Sequence, residues 1–191
     1  MSTFEYVGAG HLVKFGSGTL QEVPSMLQKI NAKAVLILST PEQVSSAETV
    51  KKIIGAAGVA IFGEATMHTP THITDKAVSV AKEKNVDGII SIGGGSTVGL
   101  GKAISIRTGL PHLCIPTTYA GSEMTPILGE TENGRKTTRR DPKILPDAVL
   151  YDVDLFRTLP VKLTVYSGIN AIAHAGQPPC SMLPTNPADK T

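Results

Sequence analysis

The feature that most constrains this chain is the stretch Ile89-Ile90-Ser91-Ile92-Gly93-Gly94-Gly95-Ser96-Thr97 and its continuation to Lys102. A short apolar run enters three consecutive glycines, passes a hydroxyl residue and continues with apolar residues at helical spacing. Such a run reads as a buried parallel strand turning tightly into a helix. Glycines there admit φ > 0 and let a ligand approach the main chain with no Cβ in the way. Ser96 or Thr97 is expected to cap the helix, and the free N–H groups at its start suit an anion, typically a phosphate. A Gly-rich turn without a ligand is the alternative, but three adjacent glycines cost chain entropy and favour a binding role. Two familiar phosphate loops are excluded. A G-x-G-x-x-G starting at Gly93 needs glycine where Val98 stands, and a Walker loop ending at Gly101-Lys102 needs glycine at Ser96 and a hydroxyl at Ala103.

A length of 191 residues gives one domain and part of a second. Aromatics make up only 4% with no Trp, so the core must be aliphatic and Ala-rich. A net charge of +2 argues against wholesale nucleic-acid binding. Cys114 and Cys180 offer neither a disulfide framework nor metal spacing and fit a reducing compartment. No charged-then-apolar leader opens the chain and no apolar run is long enough to span a membrane, so a cytoplasmic protein is expected.

Along the chain, a strand is expected over His11–Phe15, then a single helix carrying Leu20, Val23, Leu27 and Ile30 that stops at Asn31. Ala34–Leu38 is a buried strand ending in Ser39-Thr40-Pro41, followed by a helix over about 45–54. Gly58–Phe62 is another strand. Ile73, Ala77, Val80 and Ala81 mark a helix stopping near Asn85. The helix after the glycines runs to about Arg107, and His112–Ile115 and Ala148–Tyr151 are further strands. This alternation calls for an open, mostly parallel α/β sheet, whose ligands sit beyond the carboxyl ends of the strands. Ser39-Thr40, the glycine turn and the hydroxyl-rich loop Pro116–Thr125 then share one edge. Arg135–Lys143 holds five basic side chains and one acid, reading as a solvated loop or, alternatively, as a receiver of an anionic cofactor or substrate. Thr164–Ala175 reads as a helix with Asn170 and His174 at i, i+4. That pair is a plain polar face or a pair addressing a metal or substrate, although Asn is a poor ligand for a dication.

Taken together, Gly93-Gly94-Gly95-Ser96 with Lys102, Ile115-Pro116-Thr117-Thr118 followed by Gly121-Ser122-Glu123, and Asn170-x-x-x-His174 resemble the iron-containing alcohol dehydrogenase family. Ser39-Thr40-Pro41, Met67-His68-Thr69-Pro70, the stretch 119–126 and the stretch 134–143 resemble its maleylacetate reductase branch. The resemblance implies a Rossmann-like α/β domain over 1–160 followed by the start of an all-α domain over 161–191. It implies NADH or NADPH as cofactor and reduction of maleylacetate, an unsaturated oxo-dicarboxylate, to 3-oxoadipate in the breakdown of aromatic compounds. It places Gly94, Gly95 and Ser96 at the pyrophosphate, Thr117 and Thr118 on the nicotinamide side and Thr40 at the adenosine ribose. Lys143 becomes a ribose or phosphate contact, His174 and Asn170 face the reaction centre, and the full-length family implies a homodimer. Gly99 and Asn170 stand where metal-dependent members carry Asp, which implies a metal-independent enzyme. A metal-dependent alcohol or polyol dehydrogenase and a non-catalytic nucleotide-binding fragment are the alternatives. The family continues the His174 helix, whereas this sequence reads Gly176-Gln177-Pro178-Pro179 and ends at Thr191, as a truncated form would; Pro178-Pro179 cannot extend a helix.

Overall fold

The computed structural model describes residues 4–8 and 11–175, with side chains from His11 onward except at positions 158, 174 and 175. The strands are β1 (Phe4–Gly8), β2 (His11–Gly16), β3 (Val35–Leu38), β4 (Gly58–Phe62), β5 (Gly88–Gly93), β6 (His112–Pro116), β7 (Ile127–Glu132), β8 (Arg135–Arg140) and β9 (Ala148–Asp152). The helices are α1 (Val23–Lys29), α2 (Val44–Ile54), α3 (Thr71–Glu83), α4 (Gly95–Thr108) and α5 (Val161–Ala175).

Seven strands form one sheet in the order β1-β2-β9-β6-β5-β3-β4, and β7 and β8 form a separate antiparallel hairpin. All pairings in the large sheet are parallel except β1 with β2. The parallel strands are buried on both faces, which is why β3 and β5 read as unbroken apolar runs rather than alternating ones. On one face Val35, Ile37, Ile90, Ile92, Leu113 and Ile115 pack under Val23, Met26 and Leu27 of α1 and Ala47 and Val50 of α2. On the other, Leu36, Leu38 and Ile89 pack under Ala77 and Ala81 of α3 and Leu100 and Ile104 of α4. Each large aliphatic side chain so covered contributes roughly 1.5–3 kcal/mol.

Neighbouring strands β3 and β5 therefore send the chain to opposite faces, β3 into α2 and β5 into α4. Their carboxyl ends flank the crevice where open sheets bind ligands. Two expectations are corrected. The first helix is split: Thr19–Glu22 is a 3-10 turn and α1 begins only at Val23, with Pro24 in its first turn, where a missing N–H costs nothing. The basic run is not a loop through Lys143, because Arg135–Arg140 is strand β8, fully exposed and paired with β7. The expected stops do hold, since Asn31 and Asn85 sit at φ 57° and 52° just past their helices.

From Thr97 to Ile104, α4 is buried on every side. Beneath it, Ser91, His112 and Cys114 form a polar knot inside the sheet face. Ser91 Oγ lies 2.7 Å from His112 Nε2, and Cys114 Sγ lies 3.4 Å from both Ser91 Oγ and His112 Nε2. Gly101 admits the imidazole, because a Cβ there would overlap the His112 ring. Burial, reinforced by the charge of Lys102, pulls the His112 imidazole from 6.5 down to about 3. The unfolded chain takes up that proton near 6.5, so stability present above this value is lost as the pH falls through the window down to about 3. We expect urea unfolding to show a loss on the order of 2 kcal/mol between pH 7 and 4.5 that His112→Asn largely removes. An equal loss in the variant contradicts this account.

Candidate functional site

The carboxyl ends of β3, β5 and β6 lie side by side, with Leu38 opposite Ser91 and Gly93 opposite Pro116. Thr117 N donates to Gly93 O at 3.0 Å, which carries the ladder one residue beyond the strands. Gln43, just before α2, reaches across the crevice and donates from Nε2 to Thr117 Oγ1 at 3.0 Å. Gly93 makes this crossing possible. It sits at φ 146°, and a Cβ there would lie 2.5 Å from both Gln43 Oε1 and Thr97 Oγ1.

Gly94 is the N-cap of α4 and no side chain caps it, so the expected role of Ser96 or Thr97 as a cap is corrected. Gly94 O instead accepts from Thr97 N and Val98 N, both at 3.1 Å. The start of a 14-residue helix is thus left open beside the crevice. One hydroxyl in its first turn, Thr97 Oγ1, is fully buried and has no hydrogen-bond partner. Open N–H groups, a positive helix end and an orphaned hydroxyl make a receptor for an anion. A Cβ on Gly94 would sit 3.1 Å from the Thr118 side chain, whereas one on Gly95 would meet only Ala120, at 3.8 Å. Gly93 is demanded by packing and Gly94 is crowded by Thr118, whereas Gly95 leaves the backbone open to a ligand.

Around the outer side of this helix start lies a cleft of about 290 Å³. Its walls are Gly95, Ser96 and Gly99 of α4, Met67–Thr69 of the preceding loop, Ser122, and Lys136 with Ile127 and Gly129 of the hairpin. His68 and Thr69 are consecutive non-glycine residues at φ 66° and 46°. Their arrangement is held by Thr131 N, which donates to Thr69 O at 3.2 Å, and by a bridge between Pro70 and Thr131. Gly99 leaves room for Thr69, whose Oγ1 would lie 2.5 Å from a Cβ at that position. Glu123 is buried on the adjoining 3-10 turn, and Tyr151 OH donates to its Oε1 at 2.8 Å. Burial and the charge of Glu123 push the Tyr151 phenol well above its ordinary value.

The expected site residues divide. Thr40, Gly94, Gly95, Ser96, Thr117 and Thr118 all stand at the carboxyl edge. Lys143 does not: it lines a larger cleft of about 960 Å³ with Gly109, Pro111 and Asp147, at the amino ends of β6 and β9. That cleft adjoins the carboxyl end of α4, the end that repels anions. The cation lining the cleft at the glycine turn is Lys136, which the ladder of β7 and β8 holds opposite Thr131. Asn170 is exposed on α5 and outside the cleft. The backbone of His174 belongs to α5, but its side chain lies outside the described residues. Among the described residues no group of three or more His, Cys, Asp or Glu is placed to hold a metal ion, and no helix is long and apolar enough to cross a membrane.

Residues 11–153 match the family described as iron-containing alcohol dehydrogenase. The chain is 46% identical over 177 residues to a maleylacetate reductase of a Rhizobium species, a match covering 93% of this chain and 50% of that protein. It superposes on the crystal structure of maleylacetate reductase from Agrobacterium tumefaciens with a TM-score of 0.85 and 46% identity, covering 92% of this chain and 50% of that one. The sulfoacetaldehyde reductase of Bifidobacterium kashiwanohense, crystallised with NAD+, shares the fold at a TM-score of 0.80 with 20% identity, covering 91% of this chain and 53% of that one. The chain spans about half the length of the curated relatives it matches.

The packing around the turn separates glycines that serve the fold from those left free. Gly93→Ala is expected to lose 2 kcal/mol or more by overlap and backbone strain, whereas Gly95→Ala should unfold within about 1 kcal/mol of the parent. Denaturant titration of the two variants distinguishes them, and equal stabilities contradict the assignment.

Proposed function

This chain belongs to the iron-containing alcohol dehydrogenase family, and we propose that its sheet domain holds NADH or NADPH with the diphosphate over Gly94, Gly95 and Ser96. The observation that carries the reading is the uncapped start of α4 at the crevice between β3 and β5, with Thr97 Oγ1 buried and unpartnered in its first turn. The adenosine ribose lies towards Thr40 at the end of β3, and the nicotinamide towards Thr117 and Thr118 at the end of β6. Lys136, rather than Lys143, supplies the cationic contact, because it shares the cleft with Gly95 and Ser96.

Similarity to maleylacetate reductases supports reduction of an unsaturated oxo-dicarboxylate, maleylacetate, as the activity of the whole protein. The reduced cofactor supplies the hydride; the protein's part is to bind, orient and exclude water. On this reading residues 1–160 form the dinucleotide domain and α5 opens the second domain, with Asn170 and His174 turned to the reaction centre. Val161, Tyr166, Ile169 and Ile172 of α5 are between 60 and 79% exposed, which supports a second reading for residues 1–191 in isolation: dinucleotide binding without appreciable turnover.

Calorimetry with ADP and NADH tests the binding reading. The 191-residue chain is expected to bind both, and Gly95→Val to bind at least tenfold more weakly with an unchanged melting temperature. A folded parent that binds neither refutes it. The end of β3 offers Ser39 and Thr40, hydroxyls without the acid that repels a 2′-phosphate. NADPH should therefore bind about as well as NADH, and Thr40→Asp should shift the ratio towards NADH; strong rejection of NADPH by the parent contradicts this.

A further inference from the structure

We propose that Lys102 is a positioning residue for the cleft: its ammonium fixes segment 122–127 as one wall, and loss of a single proton releases part of that wall. The consequence for ligands rests on the dinucleotide reading above; the hold on the segment does not. Lys102 is fully buried although it carries a charge. Its Nζ donates to three main-chain carbonyls of one irregular segment, Ser122 O at 2.5 Å, Thr125 O at 2.8 Å and Ile127 O at 3.0 Å. The hydroxyls of Ser122 and Thr125 lie at 3.3 and 3.2 Å. Ser122 and Ile127 are also cleft-lining residues, so the same nitrogen that satisfies the carbonyls sets the position of the wall.

The stoichiometry explains why the proton matters. An ammonium has three N–H donors and no acceptor, matching three carbonyls. A neutral amine keeps two donors and turns a lone pair towards the third oxygen, so one of the three carbonyls loses the ammonium and faces a lone pair. The other holds on the segment are its turn bonds, Met124 N to Gly121 O at 3.2 Å and Thr125 N to Ser122 O at 3.1 Å, with Thr125 Oγ1 to Ser122 O at 3.0 Å, Tyr151 OH to Glu123 Oε1 at 2.8 Å and Asp141 N to Pro126 O at 3.1 Å; none of them involves the carbonyls of Thr125 and Ile127. The groups facing Lys102 are Glu123 on the segment itself, Tyr151 on β9, bonded to Glu123, and Cys114 and His112 on β6. Burial pulls the Lys102 ammonium down to about 8, against the supporting charge of Glu123. Burial pushes Cys114 up to about 12 and holds His112 near 3, and Tyr151 is raised above its ordinary value, so none of these three titrates between pH 7 and 9.

Amide exchange measured by magnetisation-transfer NMR from pH 7 to 9.5, corrected for base catalysis, tests the proposal on the 191-residue chain. Protection at Met124 and Thr125 is expected to fall about tenfold with a midpoint near 8, while β5 amides stay unchanged. Lys102→Arg keeps its charge throughout this range and should give a flat profile. If that variant does not fold, the parent's profile decides alone. ADP affinity should decline with the same midpoint. Constant protection at Met124 and Thr125 across the range overturns the proposal. A normal exchange transition in a chain that binds no ADP at pH 7 supports the hold of Lys102 on the segment and refutes the dinucleotide reading.

Discussion

The carboxyl edge of this sheet depends on one steric condition: the first turn of α4 must meet the ends of β5 and β6 with no side chain between them. Gly93 satisfies it. A single absent methyl group allows Gln43 and Thr97 to occupy the same corner, and the bond from Gln43 to Thr117 then ties the two sides of the crevice together. The free N–H groups of Gly95 and Ser96 follow from the way the chain enters the helix, with Gly94 extended at ψ −163° and no capping hydroxyl. The open helix start is thus a by-product of close packing, and the unpartnered Thr97 Oγ1 in its first turn is the part of that packing left incomplete.

Much of this fold was legible because its strands are buried on both faces. Val35–Leu38, Gly88–Gly93 and His112–Pro116 read as continuous apolar runs since helices cover each side, and their alternation with helical segments fixed the parallel sheet. The hairpin was not legible. Arg135–Arg140 is entirely exposed and carries no apolar alternation, so nothing in its composition distinguishes a ribbon from a solvated loop. Position on that ribbon decides which basic residue meets the site. Lys136 pairs with Thr131, which is bridged to the loop holding His68, while Lys143 follows the strand and is carried to the far end of the sheet.

Lys102 shows a different limit. Its spacing after the glycines marked it as part of a motif, yet spacing alone does not tell a ligand contact from an internal tie. The tie appears only once the chain from Ser122 to Ile127 folds back over α4, a contact between segments some twenty residues apart. Local sequence reads helices and turns well; it does not read which carbonyls a buried ammonium will gather.

The space left at Gly99 joins two segments of the chain that lie about thirty residues apart in sequence. The volume that a side chain at 99 would fill belongs to Thr69, whose oxygen would lie 2.5 Å from a Cβ there. Thr69 is in turn fixed by the hairpin through its own carbonyl and by Pro70. A side chain at 99 requires the Thr69 hydroxyl to move, while the Thr69 backbone stays tied to the ribbon that presents Lys136. Replacements at 99 and 69 are therefore coupled, and the cost of a side chain at 99 depends on what stands at 69.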